Sequence, residues 1–192
     1  MAKPATQILN THDRALEGAR QVAIVIGASL FVALCARVSV PLHFTPVPLT
    51  LQNFGVVLVG LTLGSRRGFA ALVLYLAEGA SGMPVFSRGG PGGTLQLFGL
   101  TGGFLLAYPF VAALAGFILE RGKATFARAA SAGLVAEILL FTSGISWLAA
   151  YTHSFALAVR FGLYWFIFAE IIKIMFAAAI ASGGRRFYKA QS

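Results

Sequence analysis

The chain has 192 residues, 58% of them hydrophobic and only 11% charged, with a mean hydropathy of +0.81. Soluble domains are roughly 45–50% apolar and about 25% charged, so this composition excludes an ordinary soluble globule and indicates an integral membrane protein. The net charge of +9 does not indicate nucleic acid, because the basic residues stand between apolar runs and form no stripe interleaved with aromatics.

Residues 1–20 are polar and of mixed charge (Lys3, His12, Asp13, Arg14, Glu17, Arg20) and are expected to form a cytoplasmic segment. A membrane bundle is expected over 21–182 and a short cytoplasmic tail over 183–192, making one membrane domain. The first apolar run, Val22 to Val40, is long enough for a helix to cross a hydrocarbon core of ~30 Å. Small residues recur at every fourth place, Ala15, Ala19, Ala23 and Gly27, so one helical face admits close approach of another helix. That face serves either packing within the chain or docking of a partner subunit. The single Cys35 excludes an internal disulfide framework. A cleaved secretory leader is not expected, since a long polar segment precedes the run and no small-x-small site follows it.

Pro41, Pro46 and Pro48 then exclude a regular helix, each lacking an N–H and restricting its predecessor. A segment of this kind at membrane depth must be covered by protein or line a cavity. Two short apolar runs follow, Phe54 to Leu63 and Phe69 to Ala80, with Gly60 and Gly64 spaced for close helix contact and a tight basic turn at Gly64-Ser65-Arg66-Arg67-Gly68. Two short interrupted segments in succession point to a binding site of the transporter kind. Residues 79–103 are rich in glycine but include Met83, Pro84, Val85 and Phe86, so this loop is expected to pack as a lid.

The fourth run is Phe104 to Leu119. The fifth extends from Ala129 to Tyr151, with Glu137 inside it and Trp147 and Tyr151 at the far end, as interfacial aromatics. The sixth, Phe161 to Ala181, carries Glu170 and Lys173, three residues apart and so on one helical face. A charge at a helix centre in lipid costs roughly 2.5–3.5 kcal/mol on insertion scales, so this pair is expected to face protein or a water-filled cavity. Glu137 is either a protonated, hydrogen-bonded group of the bundle or a member of a proton path.

About six spans put both termini on one side. That side holds Lys3, Arg14, Arg20, Arg66, Arg67, Arg121, Lys123, Arg128, Arg185, Arg186 and Lys189, against Arg37, Arg88 and Arg160 opposite. The bias makes both termini cytoplasmic and the Pro-rich and Gly-rich loops external.

No catalytic or metal constellation stands out, because His12, His43 and His153 lie apart and no Ser–His–acid motif is present. No nucleotide-binding loop is present either. The residues suited to binding are Gln52 and Asn53 with amide donors and acceptors, Arg88 as the one cation of the Gly-rich loop, and Glu170 with Lys173. Together they suit a small anionic ligand with an amide-like ring. The alternative classes are a proton-coupled secondary transporter and an intramembrane enzyme, both motivated by Glu137 and Glu170.

Pro46-Val47-Pro48-Leu49-Thr50-Leu51-Gln52, Gly60-Leu61-Thr62-Leu63-Gly64-Ser65-Arg66-Arg67-Gly68, Gly82-Met83-Pro84-Val85-Phe86 and Thr101-Gly102-Gly103-Phe104 occur in an order and spacing that resemble the BioY family. These are the biotin-specific substrate-binding (S) subunits of energy-coupling-factor (ECF) transporters. The resemblance covers roughly residues 20–182 and implies an all-α membrane bundle of about six helices, with biotin held near the outer face. It implies no cofactor, with ATP used by separate ATPase subunits of a bacterial cytoplasmic (inner) membrane complex. The family's acidic-x-x-Lys signature falls on Glu170 and Lys173, where Asp is the usual acid. Its Gly-Pro-Thr-Gly-Gly-Tyr segment reads Gly99-Leu100-Thr101-Gly102-Gly103-Phe104, without the proline and the hydroxyl. Arg88 falls in a variable part of the lid. The ladder Ala15, Ala19, Ala23 and Gly27 resembles the face that docks the transmembrane coupling subunit.

Overall fold

The computed structural model describes residues 5–190, with side chains over 14–184. Helix α1 (Ala5–Arg37) runs for 33 residues, about 50 Å at 1.5 Å per residue, and its apolar part is Arg14–Arg37. The polar residues expected as a separate N-terminal segment therefore continue the first span, as far as they are described; Lys3 lies outside the described residues.

The first helix stops at Arg37, three residues short of the expected Val40, because the chain turns to an extended pair. Strand β1 (Ser39–Val40) lies antiparallel to β2 (Leu49–Thr50), with Ser39 opposite Thr50. This small ladder closes the Pro-rich loop into a hairpin and delivers Thr50 and Gln52 to the interior.

Helices α2 (Gln52–Leu63) and α3 (Ser65–Ala80) are short, and Gly64 alone joins them at φ +85°, a conformation that favours glycine. The Glu120 carboxylate fixes this turn by accepting from Ser65 N at 2.9 Å and Ser65 Oγ at 2.8 Å. The lid adds a helical turn not foreseen in the glycine-rich stretch, α4 (Gly93–Leu97). Helices α5 (Gly102–Glu120) and α6 (Phe126–Thr152) follow. Thr125 caps α6 by accepting from Arg128 N at 3.3 Å, and His153, at φ 52°, ends it.

The last apolar run is not one helix. Helix α7 (Phe155–Val159) passes into a π-helical turn (Arg160–Tyr164), the helical path breaks at Trp165, and α8 (Ile167–Ala190) begins afresh. Glu170 therefore stands in the first turn of a helix and not at mid-span. An acid at a helix N-terminus is favoured by the unpaired backbone N–H groups and the dipole, so its burial is less costly than a mid-helix placement implies.

Among the described residues four helices are long and apolar enough to cross a membrane: Arg14–Arg37, Gly102–Glu120, Phe126–Thr152 and Ile167–Gly184. The shorter α2 and α3 pack against α5 and complete an all-α membrane bundle. On α8, Phe168, Ile172, Phe176 and Ile180 are exposed at four-residue steps while Glu170, Ile174, Ala177 and Ala181 face inward, the pattern of a helix with one face in lipid.

The loops sort to two ends. At one, Thr45 Oγ1 donates to the Phe161 carbonyl at 2.7 Å and Trp147 Nε1 to the Gly99 carbonyl at 2.9 Å, which gathers the Pro-rich loop, the Gly-rich loop and the α6–α8 connection. At the other, the Gly64 turn meets the end of α5. Close approach there depends on glycine: a Cβ at Gly60 would lie 2.3 Å from the Ala112 carbonyl oxygen, and one at Gly116 2.5 Å from the Gly64 backbone.

Candidate ligand-binding site

Two helices begin inside the bundle, and their first turns meet. Helix α2 starts at Gln52 because Leu49 and Thr50 are held extended against Ser39 and Val40, which places Asn53 in its first turn. Helix α8 starts at Ile167 because of the break at Trp165, which places Glu170 in its first turn and Lys173 one turn on. Helix α6 passes alongside unbroken and supplies Glu137.

These four side chains form one network. Lys173 Nζ donates to Glu170 Oε1 at 2.7 Å and to the Thr50 carbonyl at 2.5 Å. Asn53 Nδ2 donates to Glu170 Oε2 at 2.7 Å and to both oxygens of Glu137 at 2.8 Å. Asn53, Glu137 and Glu170 are each only 6% exposed. One buried atom of the network, Asn53 Oδ1, has no hydrogen-bond partner. An unmet buried acceptor costs about 1–3 kcal/mol, so this oxygen is available to a further donor.

Against the network lies a cavity lined by the polar side chains of Thr50, Gln52, Asn53, Glu137 and Glu170 and by the apolar ones of Val47, Pro48, Phe104, Leu105, Leu140, Phe141 and Phe166. About 60 Å³ of it admits the centre of a water molecule, so it is narrow and nearly filled by its own walls. Apolar and aromatic walls with a few polar groups are the usual composition of a small-molecule site. Pro48, Ser87, Gln96 and Thr101 separate it from a wider hollow of about 530 Å³ under the loops. Gln96 holds this partition, donating to Ser87 Oγ at 3.2 Å and accepting from Gly92 N at 3.2 Å.

The residues expected from sequence divide accordingly. Glu170, Lys173 and Asn53 are in direct contact. Gln52 lines the same cavity, but its Nε2 already donates to Tyr75 Oη at 2.8 Å, and Tyr75 in turn donates to the Val85 carbonyl at 3.0 Å, anchoring the lid. Arg88 is exposed and lines the outer hollow, not the inner cavity. Ala15, Ala19, Ala23 and Gly27 stand away from the site, all exposed, and a Cβ at Gly27 would meet nothing within 4 Å, so this face is not used for packing within the chain. Among the described residues no group of three or more His, Cys, Asp or Glu side chains could hold a metal ion.

Sequence reasoning left Glu137 unplaced and missed Gln96 and the Thr50 carbonyl. Glu137 had a signal, an acid at the middle of an apolar run. Gln96 and Thr50 had little, since the first is a lone amide between Leu95 and Leu97 in a glycine-rich loop and the second acts through its backbone.

The BioY family pattern matches residues 5–190 of this chain. The chain belongs to the BioY family. It is 39% identical over 166 residues to the probable biotin transporter BioY of Pyrococcus horikoshii, a match covering 85% of this chain and 94% of the relative. It is 36% identical over 160 residues to the biotin transporter BioY of Thermotoga maritima, covering 82% and 92%. Among solved structures, the S-component for biotin from an ECF-type ABC transporter superposes with a TM-score of 0.80 at 25% identity, covering 96% of this chain and 95% of the other. Family and fold agree with the all-α membrane bundle and place the chain among transporter subunits and not enzymes.

Proposed function

We propose that this protein is the biotin-binding subunit of a vitamin importer of the ECF type. It captures biotin at the outer side of a bacterial cytoplasmic membrane, and separate coupling and ATPase subunits drive release inward. The observation that carries the reading is the meeting of two interrupted helices over a buried Lys173–Glu170–Asn53 network beneath packed loops. Broken helices whose first turns face a common cavity are how membrane transporters expose backbone and polar side chains to a solute. The fused ring of biotin has an apolar thioether edge for the Phe104, Phe141 and Phe166 walls and a urea edge for the network. Its carboxylate tail points through the Gln96 partition toward Arg88 in the outer hollow, where an Arg–carboxylate contact is geometrically favoured. Gln52 and Asn53 contribute amide contacts at the urea edge.

Orientation follows from charge. Arg66, Arg67, Arg121, Lys123 and Arg128 cluster at the tight-turn end, against Arg37, Arg88 and Arg160 at the loop end. The positive-inside bias makes the tight turns and both termini cytoplasmic and turns the loops outward. The side chains of Arg185, Arg186 and Lys189 lie outside those described. The exposed ladder Ala15, Ala19, Ala23 and Gly27 is the docking face for the coupling subunit, since small residues let a second membrane helix approach.

Equilibrium binding of labelled biotin to purified protein in detergent tests the reading. Submicromolar binding competed by unlabelled biotin is expected. Absence of such binding in folded protein overturns it.

A further inference from the structure

We propose that Tyr75, a residue outside the cavity, decides the polarity of the contact that Gln52 makes with the ligand. Its hydroxyl turns the Gln52 amide so that the cavity meets the carbonyl oxygen, and a ligand atom seated there must be an N–H donor. The inference rests on the biotin reading and adds to it a positioning residue and the direction of one hydrogen bond.

The oxygen and nitrogen of a side-chain amide are told apart by what their partners can give and accept. Gln52 Nε2 donates to Tyr75 Oη at 2.8 Å, and Tyr75 Oη donates to the Val85 carbonyl at 3.0 Å. A carbonyl has no proton, so the single proton of the phenol goes to Val85, and toward Gln52 the hydroxyl only accepts. Gln52 must therefore offer its nitrogen to Tyr75. Turning the amide over would set oxygen against oxygen, or draw the phenol proton away from Val85. Val85 is buried, and among the described residues no other donor is bonded to its carbonyl. The next residue holds that carbonyl in place. Phe86 lies edge to face with Tyr75, ring centroids 5.4 Å apart, and packs over Gly79, where a Cβ would run into its ring.

The other end of the amide is left for the cavity. Gln52 lines it and is 2% exposed, whereas Tyr75 is fully buried and is not part of the lining. Among the described residues Gln52 Oε1 has no hydrogen-bond partner. A buried oxygen of this kind is normally met by a donor, and here the donor has to come from whatever fills the cavity. With its carboxyl group ionised, biotin has N–H donors only on the urea; its thioether, urea oxygen and carboxylate accept. The Gln52 contact is therefore made to a urea N–H, with the amide accepting. The competing account makes Tyr75 an anchor of the lid alone, through Val85.

Affinities are measured for biotin and for its two cyclic carbamate analogues, in each of which one urea N–H is replaced by oxygen. The proteins are the wild type, Tyr75→Phe, Gln52→Leu and the double variant. In the wild type the analogue with its ring oxygen against Gln52 is expected to bind at least tenfold more weakly than biotin. Gln52→Leu identifies that analogue as the one whose penalty falls. Tyr75→Phe keeps the ring and removes the hydroxyl, so the amide is free to turn its nitrogen to the ring oxygen. The penalty for the same analogue is expected to shrink several-fold, and the penalty for the other to stay. With Leu at position 52, adding Tyr75→Phe is expected to change neither penalty, because Tyr75 acts through Gln52. Unchanged penalties in Tyr75→Phe, with every ligand weakened alike, mark a lid anchor and overturn the inference while the biotin reading stands. An effect of Tyr75→Phe on the penalties that persists without Gln52 overturns it too. Failure of the folded wild type to bind biotin removes the biotin reading, and the inference with it. If Tyr75→Phe does not fold, the remaining arms decide. A wild type that binds both carbamates as tightly as biotin, or a Gln52→Leu variant that keeps both penalties, overturns the proposal.

Discussion

Lys173 Nζ lies 2.5 Å from the backbone carbonyl of Thr50, a contact across 123 positions that ties α8 to the strand preceding α2. The same ammonium stands 2.7 Å from Glu170, so one cation fixes both interrupted helices relative to each other. Removing it affects two properties that separate experimentally. Lys173→Met leaves Glu170 buried beside an apolar side chain, and breaking a buried pair in this way typically costs about 3–5 kcal/mol. A clear fall in melting temperature is expected, together with a loss of biotin affinity of 100-fold or more. Lys173→Met combined with Glu170→Met removes both charges and is expected to recover much of the stability, since a well-packed apolar pair often equals a buried ion pair. It is not expected to recover binding. Recovery of both would make the pair structural alone.

The tight-turn end offers a prediction independent of ligand. A Cβ at Gly60 would sit 2.3 Å from the Ala112 carbonyl oxygen, whereas one at Gly183 would meet nothing within 4 Å. Gly60→Ala must push α2 away from α5, and overpacking of this kind costs typically about 1–3 kcal/mol. Gly183→Ala has only the helix-propensity gain of Ala over Gly, up to about 1 kcal/mol. Thermal unfolding in one detergent is expected to show the first variant below the wild type and the second at or slightly above it.

Much of this architecture was legible in the sequence, and the exceptions have physical causes. Proline spacing at 41, 46 and 48 located the interrupted entrance to α2, because a missing N–H is a local property. The Gly60–Gly64 pair correctly marked a close crossing, since only a side chain of no size permits one. The break at Trp165 was invisible: Phe161 to Ala181 read as one continuous apolar span with no residue that forbids a helix, and the contact that Thr45 Oγ1 makes with the Phe161 carbonyl spans 116 positions. That miss placed Glu170 at mid-span when it opens a helix. Glu137 was noticed but not placed, because its partner Asn53 lies 84 positions away and periodicity carries no information at that range.

Arg88 and Gln96 make different predictions although both belong to the lid. Arg88 is exposed in the outer hollow, so Arg88→Ala is expected to leave the melting temperature unchanged and to weaken biotin about tenfold, mainly through faster dissociation. The loss should be smaller for the methyl ester of biotin, which lacks the carboxylate charge. Gln96 is buried and bridges Ser87 to Gly92. Gln96→Ala is expected to speed both association and dissociation, since the partition loses the side chain that closes it. Stopped-flow binding kinetics separate the two; an unchanged association rate for Gln96→Ala would remove it from the partition.

The exposed ladder on α1 should matter only in the assembled importer. Ala19 and Ala23 are exposed, far from the Glu170–Lys173 network, and carry no part of the cavity lining. Ala19→Leu and Ala23→Leu add volume to a face on which close approach of a second helix depends on small side chains. Biotin binding by the isolated subunit and its melting temperature are therefore expected to match the wild type. Co-purification with a coupling subunit, and uptake of labelled biotin in cells or proteoliposomes containing the full complex with ATP, are expected to fall several-fold. Normal uptake with both substitutions in place would assign the docking surface to another face, while weakened binding by the subunit alone would show that α1 reports on the cavity through the contacts it makes with α2 and α3.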